Sequence, residues 1–239
     1  MSIQNLATVV LALALAAPAA RSQRPIRPER PVIVIDPGHP SEVSDGAVVQ
    51  NGTTEVKTAW DVARRLQRLL TANGYRVVMT KSAERELVTN VHRAEIGNRE
   101  AAALVVRLHC DASADSGYAI YHPDRTATVQ GHTGPSESVM RRSQAAAESL
   151  HVSMARRLAG HLKDGGVRGD SKTAIGAKQG ALTGSVFSDV PVVLVEMVTL
   201  SNARDARFIT DSRGQSLMAQ AIAEGVGRFV PASNSSRTR

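Results

Sequence analysis

The sequence predicts an α/β fold, a single domain in which a mostly parallel, twisted β-sheet carries helices on both faces. Apolar segments rich in β-branched residues alternate along the chain with amphipathic segments of helical period. Two of the apolar segments, Val32–Ile35 and Val192–Val195, are apolar at every position, which is typical of strands buried on both faces. No period of about 20–50 residues recurs, so a repeat architecture is not expected.

The first predicted strand, Val32–Ile35, runs into the turn Asp36-Pro37-Gly38 and then His39. Proline fixes φ and glycine permits a positive φ, so the chain can turn sharply here. Sites in open α/β sheets lie beyond the carboxyl ends of the strands. His39 is therefore a candidate site residue, although a loop histidine without a role is an equally simple interpretation.

A helix and a second strand follow and complete a βαβ unit. The helix is predicted from Thr54, a good N-cap, to Asn73-Gly74, a typical C-terminal signal. The second strand is predicted over 75–80, and the crossover is expected to be right-handed. The apolar face of the helix consists of Val56, Ala59, Ala63, Leu66 and Leu70.

The same patterns predict the remaining elements. Glycine- and serine-rich residues 169–188 are expected to form loops with room for one short strand, and Asp164-Gly165-Gly166 is expected to end the long helix before them. The other predicted elements are a helix at 90–102, strands at 104–109 and 117–121, a turn-rich loop at 122–137, a helix at about 138–162, a strand at 191–195, and helices at 203–210 and 216–229.

The two ends of the chain are expected to lie outside the domain, which we place at 31–230. Residues 1–20 carry no charge and contain an apolar run too short to span a bilayer, which predicts a secretory signal peptide or, alternatively, a retained anchor. Residues 21–30 are predicted to be a basic, proline-rich linker and 231–239 a disordered basic tail. No other stretch is apolar enough to span a membrane. Because of the signal peptide we expect export, to the periplasm or to the extracellular space and cell wall.

The charge, the aromatic content and the cysteine content limit the binding partners and the cross-links that the protein can have. Of the net charge of +7, the linker carries +3 and the C-terminal arginines +2, which leaves +2 for the domain. With only 3% aromatic residues there is no stacking surface for single strands, so a nucleic-acid partner is not expected. The basic tails could contact anionic envelope polymers or lipid head groups. The single cysteine, Cys110, excludes an internal disulfide.

Four polar residues converge on one edge of the predicted sheet. His39 follows the first strand, His109 ends the third, Glu196 follows the strand at 191–195, and Glu55 opens the first helix. Two imidazoles and a carboxylate are a standard zinc set, and a second carboxylate could take a proton from water. The HExxH spacing is absent. A polar cleft without a metal is the open alternative.

At these residues the sequence resembles the zinc-dependent N-acetylmuramoyl-L-alanine amidases of bacterial cell walls. The sequence departs from the family pattern directly after His39, where it has Pro40-Ser41 and the family usually has Gly-Gly. The matching segments are Ile33–His39, Gly52 with Glu55, Gly74–Lys81, Arg93-Ala94 with Asn98, Arg107–His109 with Asp111-Ala112, and Pro191–Glu196 with Leu200–Asn202.

The resemblance implies that His39, Glu55 and His109 bind one Zn²⁺ per chain and that Glu196 is the catalytic carboxylate. It implies a peptidoglycan hydrolase that cleaves the amide between the lactyl group of N-acetylmuramic acid and L-alanine of the stem peptide. Two alternatives remain, a zinc peptidase that cleaves another bond of wall peptides and a non-catalytic glycan-binding domain of the same fold.

Residues around this constellation have simpler expected roles. Asp36 is predicted to organise its own turn through local hydrogen bonds, with orientation of a ligand histidine as the alternative. Cys110 is expected to be a small buried hydrophobe rather than a ligand. Arg93 and Asn98 are expected to tie a helix to the sheet. Arg107, inside an apolar strand, needs a carboxylate partner that the sequence does not identify.

Overall fold

The computed structural model describes residues 30–232, and the expected signal peptide, nearly all of the linker and the C-terminal tail lie outside these residues. The strands are β1 (Val32–Pro37), β2 (Arg76–Met79), β3 (Leu104–Asp111), β4 (Tyr118–His122), β5 (Ala127–Val129), β6 (His132–Gly134), β7 (Asp164–Gly169) and β8 (Val192–Thr199). The helices are α1 (Glu55–Ala72), α2 (Asn90–Arg99), α3 (Glu137–Leu158), α4 (Gly176–Gln179), α5 (Thr183–Val186), α6 (Ala203–Thr210) and α7 (Ser212–Phe229).

Six strands form one sheet in the order β2-β1-β3-β8-β4-β7. The first four strands in this order are parallel, β4 runs antiparallel to β8, and β7 is parallel to β4. The expected α/β domain with a mostly parallel sheet is therefore confirmed. The carboxyl ends of β1, β3 and β8 lie side by side at one edge, where the candidate residues were expected.

Helices cover both faces of the sheet. Successive residues of a strand point to opposite faces, and the central strands carry apolar residues on both faces. On one face Ile33, Leu104 and Val193 belong to a large buried cluster with residues of α1, α3 and α7. On the other face Val34, Val105 and Val192 pack with Ile96 of α2 in a smaller cluster. The smaller apolar cover on the second face leaves room there for polar side chains.

Helix α1 starts where the sequence predicted and places Glu55 at its first position. The side chain of Thr54 accepts a hydrogen bond from the Lys57 N–H, as an N-cap residue does. The buried residues of α1 recur at three- and four-residue steps, so one face packs on the sheet. This packing fixes the axis of the helix and brings Glu55 to the edge formed by β1 and β3.

Three expectations about local structure were wrong. Asp164–Gly169 was expected to end a helix but forms the edge strand β7. A Cβ at Gly165 would lie only 2.4 Å from the Tyr118 carbonyl oxygen. Glycine at this position therefore permits the close pairing of β7 with β4. The segment 169–188 holds a 3-10 turn and the short helices α4 and α5 instead of a strand. The loop at 122–137 contains the hairpin β5–β6.

Within residues 30–232, no helix combines the length and apolarity needed to cross a bilayer.

Candidate active site

His109 and Glu196 lie directly opposite each other in the pairing of β3 and β8. Both strands continue past these residues, to Asp111 and Thr199, so the two side chains project from within strands and not from their ends as expected. With His39 and Glu55 they line a cleft of about 330 Å³. The structure therefore brings all four predicted site residues into one cleft.

His39 occupies a strained turn that buried cations hold in place. Its φ of +55° lies in the left-handed region, which a residue with a Cβ adopts at a cost of about 1–3 kcal/mol. Lys81 Nζ donates hydrogen bonds to the carbonyl oxygens of Gly38 and His39. Arg93 donates to the carbonyl oxygens of Pro37 and Pro40, at 2.8 Å each. The positive φ expected at Gly38 is found at His39 instead, and the hydrogen bonds from Lys81 to this turn could not be predicted from the sequence.

Two glycines make room for the two imidazoles. A Cβ at Gly38 would lie 2.5 Å from Cε1 of His109, and a Cβ at Gly46 would lie 2.6 Å from Cγ of His39. Gly46 also has a φ of +64°, which favours glycine. Glycine at position 38 is therefore required by the packing of a site residue and not by its own backbone conformation.

Glu55 joins the two histidines. Its Oε1 lies 2.8 Å from Nδ1 of His109 and its Oε2 lies 3.1 Å from Nε2 of His39. The Cys110 N–H donates to Oε1 at 3.1 Å, and the Ser44 carbonyl oxygen lies 3.1 Å from Nδ1 of His39. These contacts orient the carboxylate and both imidazole rings toward a common point.

The donor set of His39, Glu55 and His109 fits a metal ion such as zinc. Each residue offers one ligand atom, and these atoms lie within 4.8 Å of one another. Zinc binds nitrogen and carboxylate ligands at about 2.0–2.2 Å in a tetrahedron, so its ligand atoms are about 3.3–3.6 Å apart and these side chains would have to move only slightly closer together. Nε2 of His109 is buried and has no hydrogen-bond partner among the described residues.

The charges of Glu55 and His109 suit metal binding, whereas the raised pKa of His39 opposes it. Burial raises the pKa of Glu55, but hydrogen bonds to His109 and His39 outweigh it and hold this pKa well below its ordinary value. Burial lowers the pKa of His109, and Glu55 offsets this only in part. For His39 the hydrogen bond and charge of Glu55 overcome burial and raise the pKa. An ionised carboxylate and a neutral imidazole are the forms that bind metals.

Glu196 stands apart from this group as a half-buried residue, one of whose carboxyl oxygens is buried. Its Oε2 has no hydrogen-bond partner within residues 30–232. Burial raises its pKa well above the ordinary value, and the charges of Glu55 and Asp111 raise it further. A carboxyl that holds a proton easily and lies beside a candidate metal centre is suited to acid–base work.

The preferred interpretation of Asp36 was wrong, because its side chain does not serve its own turn. Asp36 is fully buried and accepts hydrogen bonds from Thr80, Arg93 and Arg107. Within the described part of the chain, Asp36 makes no hydrogen bond with a candidate ligand histidine. Asp36 is the carboxylate partner that Arg107 required, and Arg93 ties α2 to the end of β1 as expected.

Two other expectations can be compared with the structure. Cys110 is buried at 5% exposure and belongs to the apolar cluster on the opposite face from His109, as predicted. Asn98 donates to the Phe187 carbonyl oxygen and accepts from the Asp189 N–H. Asn98 therefore ties α2 to the segment before β8 and not to the sheet itself.

Comparison with known proteins identifies the family to which the chain belongs. The family model described as N-acetylmuramoyl-L-alanine amidase matches residues 33–228. The chain belongs to this family. The match spans the whole α/β domain from β1 to α7, including all four candidate residues.

The family relatives are distant in sequence. The chain is 25% identical over 226 residues to N-acetylmuramoyl-L-alanine amidase AmiC of Neisseria meningitidis, covering 84% of this chain and 53% of that protein. It is 28% identical over 195 residues to N-acetylmuramoyl-L-alanine amidase LytC of Bacillus subtilis, covering 81% of this chain and 34% of that protein. The chain therefore spans about half the length of the first relative and a third of the second.

A solved family structure supports the fold. The apo form of the amidase Ami1 from Mycobacterium abscessus superposes with a TM-score of 0.68 at 23% identity, over 83% of this chain and 98% of that one. The likeness at this identity concerns the architecture, and it covers the same domain that the family model matches.

Proposed function

We propose that the chain is a zinc-dependent peptidoglycan hydrolase that cleaves the amide between the lactyl group of N-acetylmuramic acid and L-alanine of the stem peptide. The observation that carries the proposal is the grouping of His39, Glu55 and His109 beside the unpartnered carboxyl of Glu196, in a cleft of an amidase-family domain. The relatives are named N-acetylmuramoyl-L-alanine amidases, which indicates the scissile bond, and the site residues indicate the chemistry.

In this proposal each site residue has a distinct task. His39, Glu55 and His109 hold one Zn²⁺, which when bound lowers the pKa of water and polarises the substrate carbonyl. Glu196 accepts the proton of the attacking water and then delivers it to the leaving nitrogen of L-alanine. The raised pKa of Glu196 makes its carboxylate a stronger base for the first transfer, and the carboxyl then keeps the proton until the leaving nitrogen accepts it.

The location of the protein is part of the same proposal. We propose that residues 1–20 direct export, that 21–30 form a linker to the catalytic domain at 31–230, and that the basic tails contact anionic envelope polymers. These ends lie outside residues 30–232 apart from the linker's last residue and the first two of the tail. Peptidoglycan lies outside the cytoplasmic membrane, so an amidase acting on it requires export.

Two variants separate metal binding from proton transfer. Glu196→Gln keeps the three ligands, so it should retain zinc and lose nearly all turnover, whereas His39→Ala should lose both. Glu137→Gln, at an exposed position on α3, is the matched control and should keep both. Metal content by elemental analysis and product formation from purified peptidoglycan are the measurements. Full activity in Glu196→Gln would contradict the assignment of the proton carrier.

A further inference from the structure

The positive charge of the domain is concentrated on one helical face. Helices α1, α3 and α7 contribute to the same apolar cluster on one side of the sheet, and α7 packs against both of the others. With histidines neutral, α1 and α3 carry +2 each and α7 carries +1. Residues 31–230 as a whole carry +2, which leaves −3 for the rest of the domain. The helical face is therefore positive and the remainder of the domain is negative.

A groove between α1 and α7 lies within this positive face. Its volume is about 220 Å³, and it is an open depression between the two helices and not an enclosed cavity. The lining residues are Arg65, Arg68 and Leu69 of α1 and Ser216 and Gln220 of α7. The groove therefore presents two guanidinium groups and a few polar or apolar side chains to solvent.

Two further arginines flank this groove. Arg213 precedes Ser216 by three residues and Gln220 by seven, so it lies on the same face of α7. Arg64 precedes Arg68 by four residues on α1, a step at which Cβ atoms are about 5–6 Å apart and like charges repel. Four arginines thus gather on facing helices despite their mutual repulsion. We call this site the arginine groove, and its arginines are Arg64, Arg65, Arg68 and Arg213.

The charge of the arginine groove is not compensated by carboxylates. Within residues 30–232, none of its four arginines forms an ion pair. Apart from Glu55 in the cleft, the carboxylates of α1 and α7 have other partners. Asp61 pairs with Lys57, and Glu224 pairs with two arginines of α3. Asp211, the exposed N-cap residue of α7, pairs with none of the four. An uncompensated group of guanidinium ions attracts an anionic ligand.

Arg65 is held in a fixed direction by neutral groups of α7. Its Nε donates to Oε1 of Gln215 at 3.0 Å, and its Nη2 donates to Oγ of Ser212 at 3.1 Å. Its Nη1 donates to Oγ of Ser216 at 3.4 Å. These contacts orient the guanidinium without neutralising it, and they use three of its five N–H donors. Guanidinium groups bind phosphate through paired hydrogen bonds, so a phosphate oxygen is a suitable ligand for the free donors.

We propose that the arginine groove binds a linear phosphodiester polymer of the cell envelope. The exposed large apolar side chains of the described residues lie outside α1 and α7, whereas helices that bind bilayers combine basic residues with exposed apolar ones. A concave groove also fits a single chain better than a flat bilayer. The low aromatic content disfavours a nucleic acid, because there is no stacking surface for bases. The envelope location rests on the proposed function, but binding itself requires neither zinc nor the cleft.

The arginine groove lies away from the cleft. Arg65 follows Glu55 by ten residues on α1, which corresponds to about 15 Å along the helix axis. A polymer in the groove therefore leaves the cleft open. Docking through this face would hold the protein at the envelope while the cleft acts on a different chain.

The test measures the Kd of the full-length protein for poly(glycerol phosphate) by isothermal titration at low ionic strength. Arg68→Gln/Arg213→Gln should weaken binding roughly ten-fold or more, and added salt should weaken wild-type binding steeply, because the contacts displace counterions. Both residues are exposed, and Arg65, which joins α1 to α7, is retained, so the variant should fold. Its hydrolysis of polymer-free peptidoglycan should equal that of the wild-type protein.

Arg99→Gln/Arg125→Gln is the matched control, because it removes the same charge from exposed positions outside the three helices and keeps the basic tails. It should retain wild-type affinity. Vesicles that contain an anionic lipid and duplex DNA are the comparison probes, and with them the two double variants should behave alike. An unchanged Kd in Arg68→Gln/Arg213→Gln, an equal loss in the control, or a groove-specific loss with vesicles or DNA would overturn the proposal. None of these outcomes depends on amidase activity, which is measured separately.

Discussion

Asp36 lies directly opposite Arg107 in the parallel pairing of β1 and β3, and its Oδ2 accepts a hydrogen bond of 2.9 Å from Arg107 Nε. Its other oxygen accepts from Thr80 at 2.6 Å and from Arg93. Burial raises the pKa of Asp36, but the charges of Arg93 and Arg107 outweigh it and keep the carboxyl ionised. One carboxylate thus joins β1, β3, α2 and the end of β2 immediately behind the candidate site.

Asp36→Asn is expected to destabilise the protein by about 3–5 kcal/mol, because it leaves two buried guanidinium groups without a counter-charge. Urea unfolding at pH 7 measures the loss. Asp61→Asn is the control, because Asp61 forms an exposed pair with Lys57 and should cost less than about 1 kcal/mol. Equal stability of Asp36→Asn and the wild-type protein would show that the buried cluster adds no stability.

Metal binding should raise thermal stability through the three ligands. At a free Zn²⁺ concentration of about 100 times Kd the gain is about 2.7 kcal/mol, which corresponds to roughly 5–10 °C in Tm for a domain of this size. Metal-stripped protein should show this rise on addition of Zn²⁺, and His109→Ala should lose it. His92→Ala, at an exposed position on α2, should keep it. A rise of the same size in His109→Ala would place the metal elsewhere.

Asp170 should make stability depend on pH. It is 1% exposed, and burial raises its pKa to about 6 from the ordinary value of 3.8, despite the hydrogen bond from the Leu182 N–H. Because the folded state holds this proton more tightly, its contribution to stability is complete below about pH 4 and is lost as the pH rises through about 6.

Between pH 4 and pH 7.5 the wild-type protein should lose up to about 3 kcal/mol of unfolding free energy through Asp170, and Asp170→Asn should not show this loss. Urea unfolding at both pH values gives this difference. Asp189→Asn, at an exposed position before β8, should leave the pH dependence unchanged. A wild-type pH profile in Asp170→Asn would mean that the carboxyl titrates normally in the folded protein.

Cys110 should be unreactive in the native protein. Its thiol is buried among apolar side chains, and burial raises its pKa well above the ordinary value, with Glu55 and Glu196 raising it further. Since the thiolate is the reactive form, a thiol reagent should modify native protein far more slowly than protein in denaturant. Rapid modification of native protein, at the rate of a free thiol, would contradict the burial of Cys110.

The sequence predicted the α/β class, most elements and the four residues that share the cleft. These rest on local signals, such as apolar runs, the Thr54 cap and residue types near strand ends. The role of Asp36 could not be predicted, because it depends on the register between β1 and β3, which are separated in sequence by two helices and another strand. The strand β7 was missed because Gly165-Gly166 predicts a turn, and only the approach of β4 explains the glycine at position 165.

The most direct test of the central claim is mass spectrometry of peptidoglycan digested by the zinc-loaded protein. The account predicts stem peptides that begin with a new L-alanine amine, together with glycan strands whose muramic lactyl groups end in a free carboxylate. Cleavage within the stem peptide instead, or intact peptidoglycan after incubation with protein shown to contain zinc, would contradict the amidase assignment.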